Sequence, residues 1–139
     1  MRIYVAGPYS ADNIIGVLDN IRKGIKYCAG LLAYGYTPFC PWTDFQLALT
    51  EQGGMIKKED YQRNSMEWLK VSDIMIMLPG WESSRGTIRE RIEAERIGIP
   101  VYIANGRMLE DIKKPQLYTI KEVEKMFLKS HPKEKKIKK

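Results

Sequence analysis

Histidine is nearly missing from this chain, and its scarcity removes whole classes of chemistry. The only one, His131, lies in a lysine-rich terminus, so the residues ahead of it can hold no histidine general base, no Ser–His or Cys–His nucleophile pair and no histidine-ligated metal. Cysteine is almost as scarce. Cys28 and Cys40 stand in apolar surroundings with eleven residues between them and no CxxC pair, which predicts buried free thiols rather than a disulfide or a zinc site. No apolar run approaches the roughly 18 to 20 residues of a membrane span. The N-terminus MRIYVAGPYS lacks the charged region, apolar core and cleavage site of a signal peptide, so the expectation is a cytoplasmic protein with no membrane partner. No GxGxxG follows the first apolar run, and the loop AGPY is too short to wrap a pyrophosphate, which disfavours a flavin or dinucleotide. Catalysis, if present, is expected to run on carboxylates, hydroxyls or backbone groups, with no metal and no cofactor.

Basic charge is also sparse outside the terminus. The chain carries 23 Lys+Arg against 17 Asp+Glu, a net charge of +6, but residues 129–139 (KSHPKEKKIKK) hold six lysines and one glutamate. The first 128 residues therefore carry only +1, from 17 basic and 16 acidic side chains. A solvated, flexible tail is the expected reading of this run; with no basic stripe to extend, nucleic acid is not an expected partner. At 139 residues, 44% hydrophobic and 29% charged, the chain has the size of one globular domain, expected over residues 1–128.

Apolar periodicity supplies the elements. Residues 2–6 (RIYVA) form a short buried strand that Gly7-Pro8 breaks. From about Asp12 to Ala33, Ile14, Val17, Leu18, Ile21, Ile25, Cys28, Leu31 and Leu32 recur at spacings of three and four, predicting an amphipathic helix that Gly35 ends. A strand over 36–40 follows, then a weak helical stretch near Asp44 to Glu51, a break at Gly53-Gly54, and a helix from about Tyr61 to Val71. The continuous run DIMIMLP suits a strand covered on both faces. After the loop PGWESSRG come a helix over about Gly86–Ile97, a stop at Gly98 and a strand in IPVYIA; Thr119 with Glu122 offers a capping box for a last helix, about Ile120–Lys129. Strands alternating with helices predict an α/β domain, a flavodoxin/Rossmann-like three-layer sandwich with a mostly parallel sheet of four to five strands. Ligands in such sheets bind beyond the carboxyl ends of the strands, where AGPYS and LPGWESSRG are the candidate loops.

The second loop opens the Gly86 helix. Ser83, Ser84, Gly86 and Thr87 offer hydroxyls and N–H donors at a positive helix terminus, suited to a phosphate or a sugar hydroxyl, though an ordinary Ser/Thr cap uses the same residues. Glu90, one turn in, shares a helical stripe with Thr87, Ala94 and Ile97. It is either a salt-bridged core residue or an acid placed at a cleft. Burial would raise its pKa, and the helix terminus and phenol donors would lower it. A second stripe through Ile88 and Ile92 needs a partner of its own, either a covering loop or a neighbouring subunit, so a homodimer or higher oligomer is expected.

Three segments in this order, IYVAGPY, SMEWLKVSDIMIMLPGW and GTIRERIEA, resemble the nucleoside 2-deoxyribosyltransferase superfamily, which includes the 2'-deoxynucleoside 5'-monophosphate N-glycosidases and small phage and prokaryotic relatives. The resemblance covers about residues 2–104. It implies that Glu90 is the nucleophile of a G-T-x-x-E-x-G-x-A type motif, matched by Gly86, Thr87, Glu90 and Ala94, with Ile92 in place of the second glycine. It further implies that Tyr4 hydrogen-bonds Glu90 and that Ser84 contacts a 5'-phosphate, with the Gly86 and Thr87 amides. The AGPY loop (Gly7, Pro8, Tyr9) would line the sugar pocket, Trp42 or Trp81 could stack on the base or simply pack, and Ser65 and Gly80 complete the expected substrate-binding set. Where the family carries an aspartate that protonates the leaving base, this chain has Ser65, so the acid would have to come from Asp60, Glu59 or Asp44. The implied partner is a nucleoside or nucleotide. The implied activity is cleavage or exchange of its N-glycosidic bond, a hydrolase or transferase reaction; the alternative is an inert nucleotide-binding module on the same fold. The family is oligomeric, and Gly106-Arg107 is a candidate for a loop lent to a neighbour's site.

Overall fold

The computed structural model describes residues 1–104. The expected last helix with its Thr119/Glu122 cap, the loop at Gly106-Arg107 and the lysine-rich tail lie outside the described residues. Within them the chain alternates β1 (Arg2–Ala6), α1 (Ile14–Ala33), β2 (Thr37–Phe39), α2 (Lys58–Lys70), β3 (Ile74–Met77), α3 (Arg85–Ile97) and β4 (Val101–Ile103). The four strands form one parallel sheet in the order β2-β1-β3-β4. The sandwich read from the sequence is the observed architecture.

Strand periodicity of two divides the core. Ile3, Val5, Ile76 and Leu78 face one way, onto Tyr27, Cys28 and Leu31 of α1. Tyr4, Ala6, Met75 and Met77 face the other, onto Leu69 of α2 and Ala94 of α3. This is why DIMIM carries no polar alternation: both faces of β3 are covered. After β1 the chain first adds β2 on one side and then β3 on the other, so the order reverses between β1 and β3. Their carboxyl ends open onto the crevice where such sheets place ligands.

Two helical faces differ from expectation. α1 begins under an Asn13 cap, whose side chain accepts the Gly16 amide at 2.9 Å, but Ile14, Leu18 and Leu32 are exposed. A 20-residue helix is about 30 Å long and a five-residue strand about 17 Å, so its first turns overhang the sheet. The buried face is narrower, Gly24, Tyr27, Cys28 and Leu31. Gly24 belongs there because the Trp42 ring lies on it: a Cβ at Gly24 would collide with Trp42 Cδ2. On α3 the Ile88–Ile92 stripe splits. Ile88 packs against the chain's own core while Ile92 is 53% exposed.

The weak helical stretch is a 3-10 helix over Pro41–Leu49, longer than the three or four residues usual for that geometry. Both thiols are free, Cys28 buried and Cys40 half-buried. They hydrogen-bond each other, which pushes the Cys28 thiol up and Cys40 down. Among the described residues no helix is long and apolar enough to cross a membrane.

Candidate active site

At the β1/β3 crevice lies a cavity of about 770 Å³, within the size range of small-molecule sites. Its floor comes from the sheet and α3. Tyr4, fully buried in the centre of β1, donates its phenol hydrogen to Glu90 Oε1 at 2.7 Å. The pairing follows from the fold: Tyr4 points to the α3 face because strand residues alternate, and Glu90 sits one turn into α3, on the stripe of Thr87 and Ala94 that meets the sheet. Desolvation raises the Glu90 carboxyl to about 7, against the opposing effects of the Tyr4 hydrogen bond and the Arg89 charge. Burial and then the neighbouring Glu90 charge push the Tyr4 phenol well above its ordinary value, with the buried Ser65 hydroxyl donating to it from α2. Among the described residues Glu90 has no salt bridge. It is an acid at a cleft, held by a phenol.

The start of α3 is both cap and cavity wall. Ser84 is the N-cap, with Oγ accepting the Thr87 amide at 3.3 Å and the Thr87 hydroxyl at 2.9 Å. The ordinary capping role is thus real, and it corrects the expectation for Thr87: that buried residue lines the cavity but directs both donors to Ser84. Gly86 stays open, since an added Cβ would meet only Ser84 Oγ at 4.0 Å. Backbone amides at Arg85 and Gly86 then remain for an anion at the positive end of the helix.

Of the other expected residues, Gly7, Pro8, Tyr9, Trp42 and Ser65 line the cavity. Trp42 does so as a packing residue. It is 1% exposed, donates Nε1 to the Pro8 carbonyl at 3.0 Å and lies against Gly7 and Gly24, leaving no face for a base to stack on. Trp81 and Gly80 are not lining residues. Trp81 is buried in the core under α3, and Gly80 makes the turn before it with φ of +88°, a left-handed conformation that favours glycine. Asp60 is also corrected. It caps α2, accepting the Lys57 amide at 2.9 Å and pairing with Arg63 at 2.8 Å, and these contacts hold its carboxyl below the usual range and away from the cavity. Glu59 is exposed and does not line the cavity either. Asp44 does line it, half-buried and with its carboxyl pushed up by burial.

Sequence reading missed one wall and the rim. Lys58, Tyr61 and Gln62 line the cavity from α2 beside the expected Ser65, at the spacing of one helical face; no role was assigned to these three from the sequence. Arg85 and Arg89 add positive charge, and Arg89 donates to Gln62 Oε1 at 2.9 Å, tying α3 to α2. Pro41, Phe45 and Ala48 give an apolar patch beside Pro8 and Tyr9. The arrangement can hold a flat apolar group, a polar ring over Glu90 and an anion at the α3 terminus. Among the described residues no three His, Cys, Asp or Glu side chains gather as metal ligands would.

Comparison with known proteins bears on the family and the fold. Among solved structures, a 2-deoxyribosyltransferase from the psychrotolerant bacterium Bacillus psychrosaccharolyticus is similar, with a TM-score of 0.51 and 25% identity over 74% of this chain and 71% of that one. No curated protein matches. The model of a family described as a domain of unknown function, DUF4406, matches residues 1–103. The chain therefore belongs to the DUF4406 family, built on an α/β fold similar to that of a 2-deoxyribosyltransferase.

Proposed function

We propose that the protein cleaves or exchanges the N-glycosidic bond of a deoxynucleoside or its 5'-monophosphate through a covalent glycosyl–Glu90 intermediate. The observation that carries this reading is the Tyr4–Glu90 hydrogen bond of 2.7 Å at the floor of the cavity. A carboxylate so held keeps one oxygen fixed by the phenol and turns the other to the anomeric carbon, the geometry of nucleophilic double displacement. Ionised Glu90 attacks C1', the base departs, and water or a second base opens the ester. The anion site at the Arg85 and Gly86 amides, with Ser84, takes a 5'-phosphate, and Lys58, Arg85 and Arg89 supply positive charge around it. Tyr9, Phe45 and Tyr61 provide the aromatic surface for the base in place of the two tryptophans.

A second reading rests on Ser65, which stands buried beside Tyr4 where the resembling family carries an acid. On that reading the pocket binds nucleotides and leaves them intact. The two are separated by chromatography of free base from a panel of ribo- and deoxynucleosides, with and without 5'-phosphate and with and without an added second base, alongside Glu90→Gln. Base release that vanishes in the variant supports glycosidic chemistry, and the added base separates transfer from hydrolysis. Calorimetric binding of a nucleotide with no base released would favour the inert module.

A further inference from the structure

A purine or pyrimidine leaves an anomeric carbon poorly as an anion, so the C1'–N bond needs a proton delivered to the base as it breaks. The Ser65 hydroxyl cannot supply one at neutral pH, and it is already directed to Tyr4. Carboxyls reach the described cavity wall at two positions, Glu90 and Asp44. Glu90 is held by Tyr4. Asp44 comes from a different element, the 3-10 helix Pro41–Leu49. It follows by two residues the Trp42 ring, which is wedged against Gly7 and Gly24 and bonded to the Pro8 carbonyl, so its backbone is anchored to the loop that lines the cavity. It lines the same cavity as Tyr9, Ser65 and Glu90. Among the described residues its side chain has neither a hydrogen bond nor an ion pair, unlike the capped and paired Asp60. A half-buried carboxyl facing a cavity with no structural partner is a group kept for chemistry more often than for stability.

We propose that Asp44 is the catalytic acid that replaces the acid absent at Ser65, a role that rests on the glycosidic reading of the same site. In the first step Glu90 carboxylate forms the C1'–O bond, the electrons of the C1'–N bond pass to the base, and the carboxylic proton of Asp44 passes to a base nitrogen. Asp44 is left as carboxylate. In the second step that carboxylate takes a proton from the attacking water, the ester opens, and Glu90 carboxylate and protonated Asp44 are both restored. Burial raises the Asp44 carboxyl, the direction an acid requires, and a base seated over it extends that burial.

The test uses leaving groups. An N7-methylated purine deoxynucleoside carries a positive charge on its base and expels it neutral, without protonation, whereas ordinary deoxynucleosides and their monophosphates need the proton. Full-length wild type, Asp44→Asn, Asp44→Ser, Asp60→Asn and Glu90→Gln are compared on both kinds of substrate. Loss of a general acid costs about 10²- to 10⁴-fold, so in single-turnover base release, which reports the first step alone, both Asp44 variants lose about that much on ordinary substrates and less than about tenfold on the methylated one. Retained turnover of the methylated substrate also shows that the variants are folded. Asp60→Asn changes neither rate, and Glu90→Gln abolishes both. Equal losses on both substrates in the Asp44 variants, or no loss on either, would overturn the role of Asp44 while leaving Glu90 in place. A wild type that releases no base, or a Glu90→Gln variant that still does, would overturn the glycosidic reading itself.

Discussion

Replacing Glu90 by Gln has an effect on stability that can be worked out without knowing the substrate. Burial raises the carboxyl from its ordinary 4.5 to about 7, so the folded state binds a proton that the unfolded chain has already released between those values. Stability then falls as pH rises through that window, because over it the native state holds more protons than the unfolded one. A shift of about two and a half units corresponds to about 3 kcal/mol, since each unit is about 1.4 kcal/mol. That cost is nearly complete at pH 8.5 and below about 1 kcal/mol at pH 5. Gln is neutral at every pH, nearly isosteric, and still accepts the Tyr4 hydrogen through its carboxamide oxygen. The Glu90→Gln variant is therefore expected to gain on wild type by about 2 to 3 kcal/mol between pH 5 and pH 8.5, while losing base release. Urea unfolding of both proteins at the two pH values measures the difference directly. A gap that stays constant with pH, or that narrows as pH rises, would refute the assignment of a desolvated, ionisable carboxyl to this position.

Three further outcomes are expected. Tyr4→Phe keeps the ring stacked on Phe39, at 5.4 Å between centroids, and removes only the donor; a hydrogen bond to a charged group is worth about 1.5 to 3 kcal/mol, so the ascending, Glu90-controlled limb of the pH profile of base release should move one to two units upward. A profile that drops without moving would contradict this. Gly24→Ala drives a methyl into the Trp42 ring and should cost about 1 to 3 kcal/mol in thermal unfolding, with a rise in KM because the Asp44 segment shifts. Ser84→Ala removes the α3 cap, about 1 kcal/mol of stability, and should raise KM for 5'-monophosphates more than for nucleosides, read from paired steady-state kinetics.

Most of the architecture was legible because it depends on short-range patterns. The unbroken DIMIM run announced a strand covered on both faces, Gly35 and Gly98 marked the helix ends with φ of +87° and +82°, and the resemblance of three ordered segments placed Tyr4 opposite Glu90. Reading failed where a residue's role depends on what lies across from it. Trp42 and Trp81 look alike as loop aromatics, yet both are packing residues, one against Gly24 and the other under α3. Asp60 and Asp44 are equally acidic in the sequence; one is used by the cap of its own helix and the other faces the cavity. The Ile88–Ile92 stripe has a proper helical period, but only Ile88 meets the core.

By itself the sequence determined the alternation of strands and helices, the lack of histidine chemistry in the described domain and the one carboxylate positioned by a strand tyrosine, since these follow from composition, local periodicity and ordered motifs. Only the tertiary structure decided which acid shares a cavity with Glu90, which donors remain at the start of α3 and how far Glu90 is desolvated. Those properties come from side chains far apart in the chain, Asp44, Ser65 and Tyr4 among them, brought together at the reversal of strand order between β1 and β3.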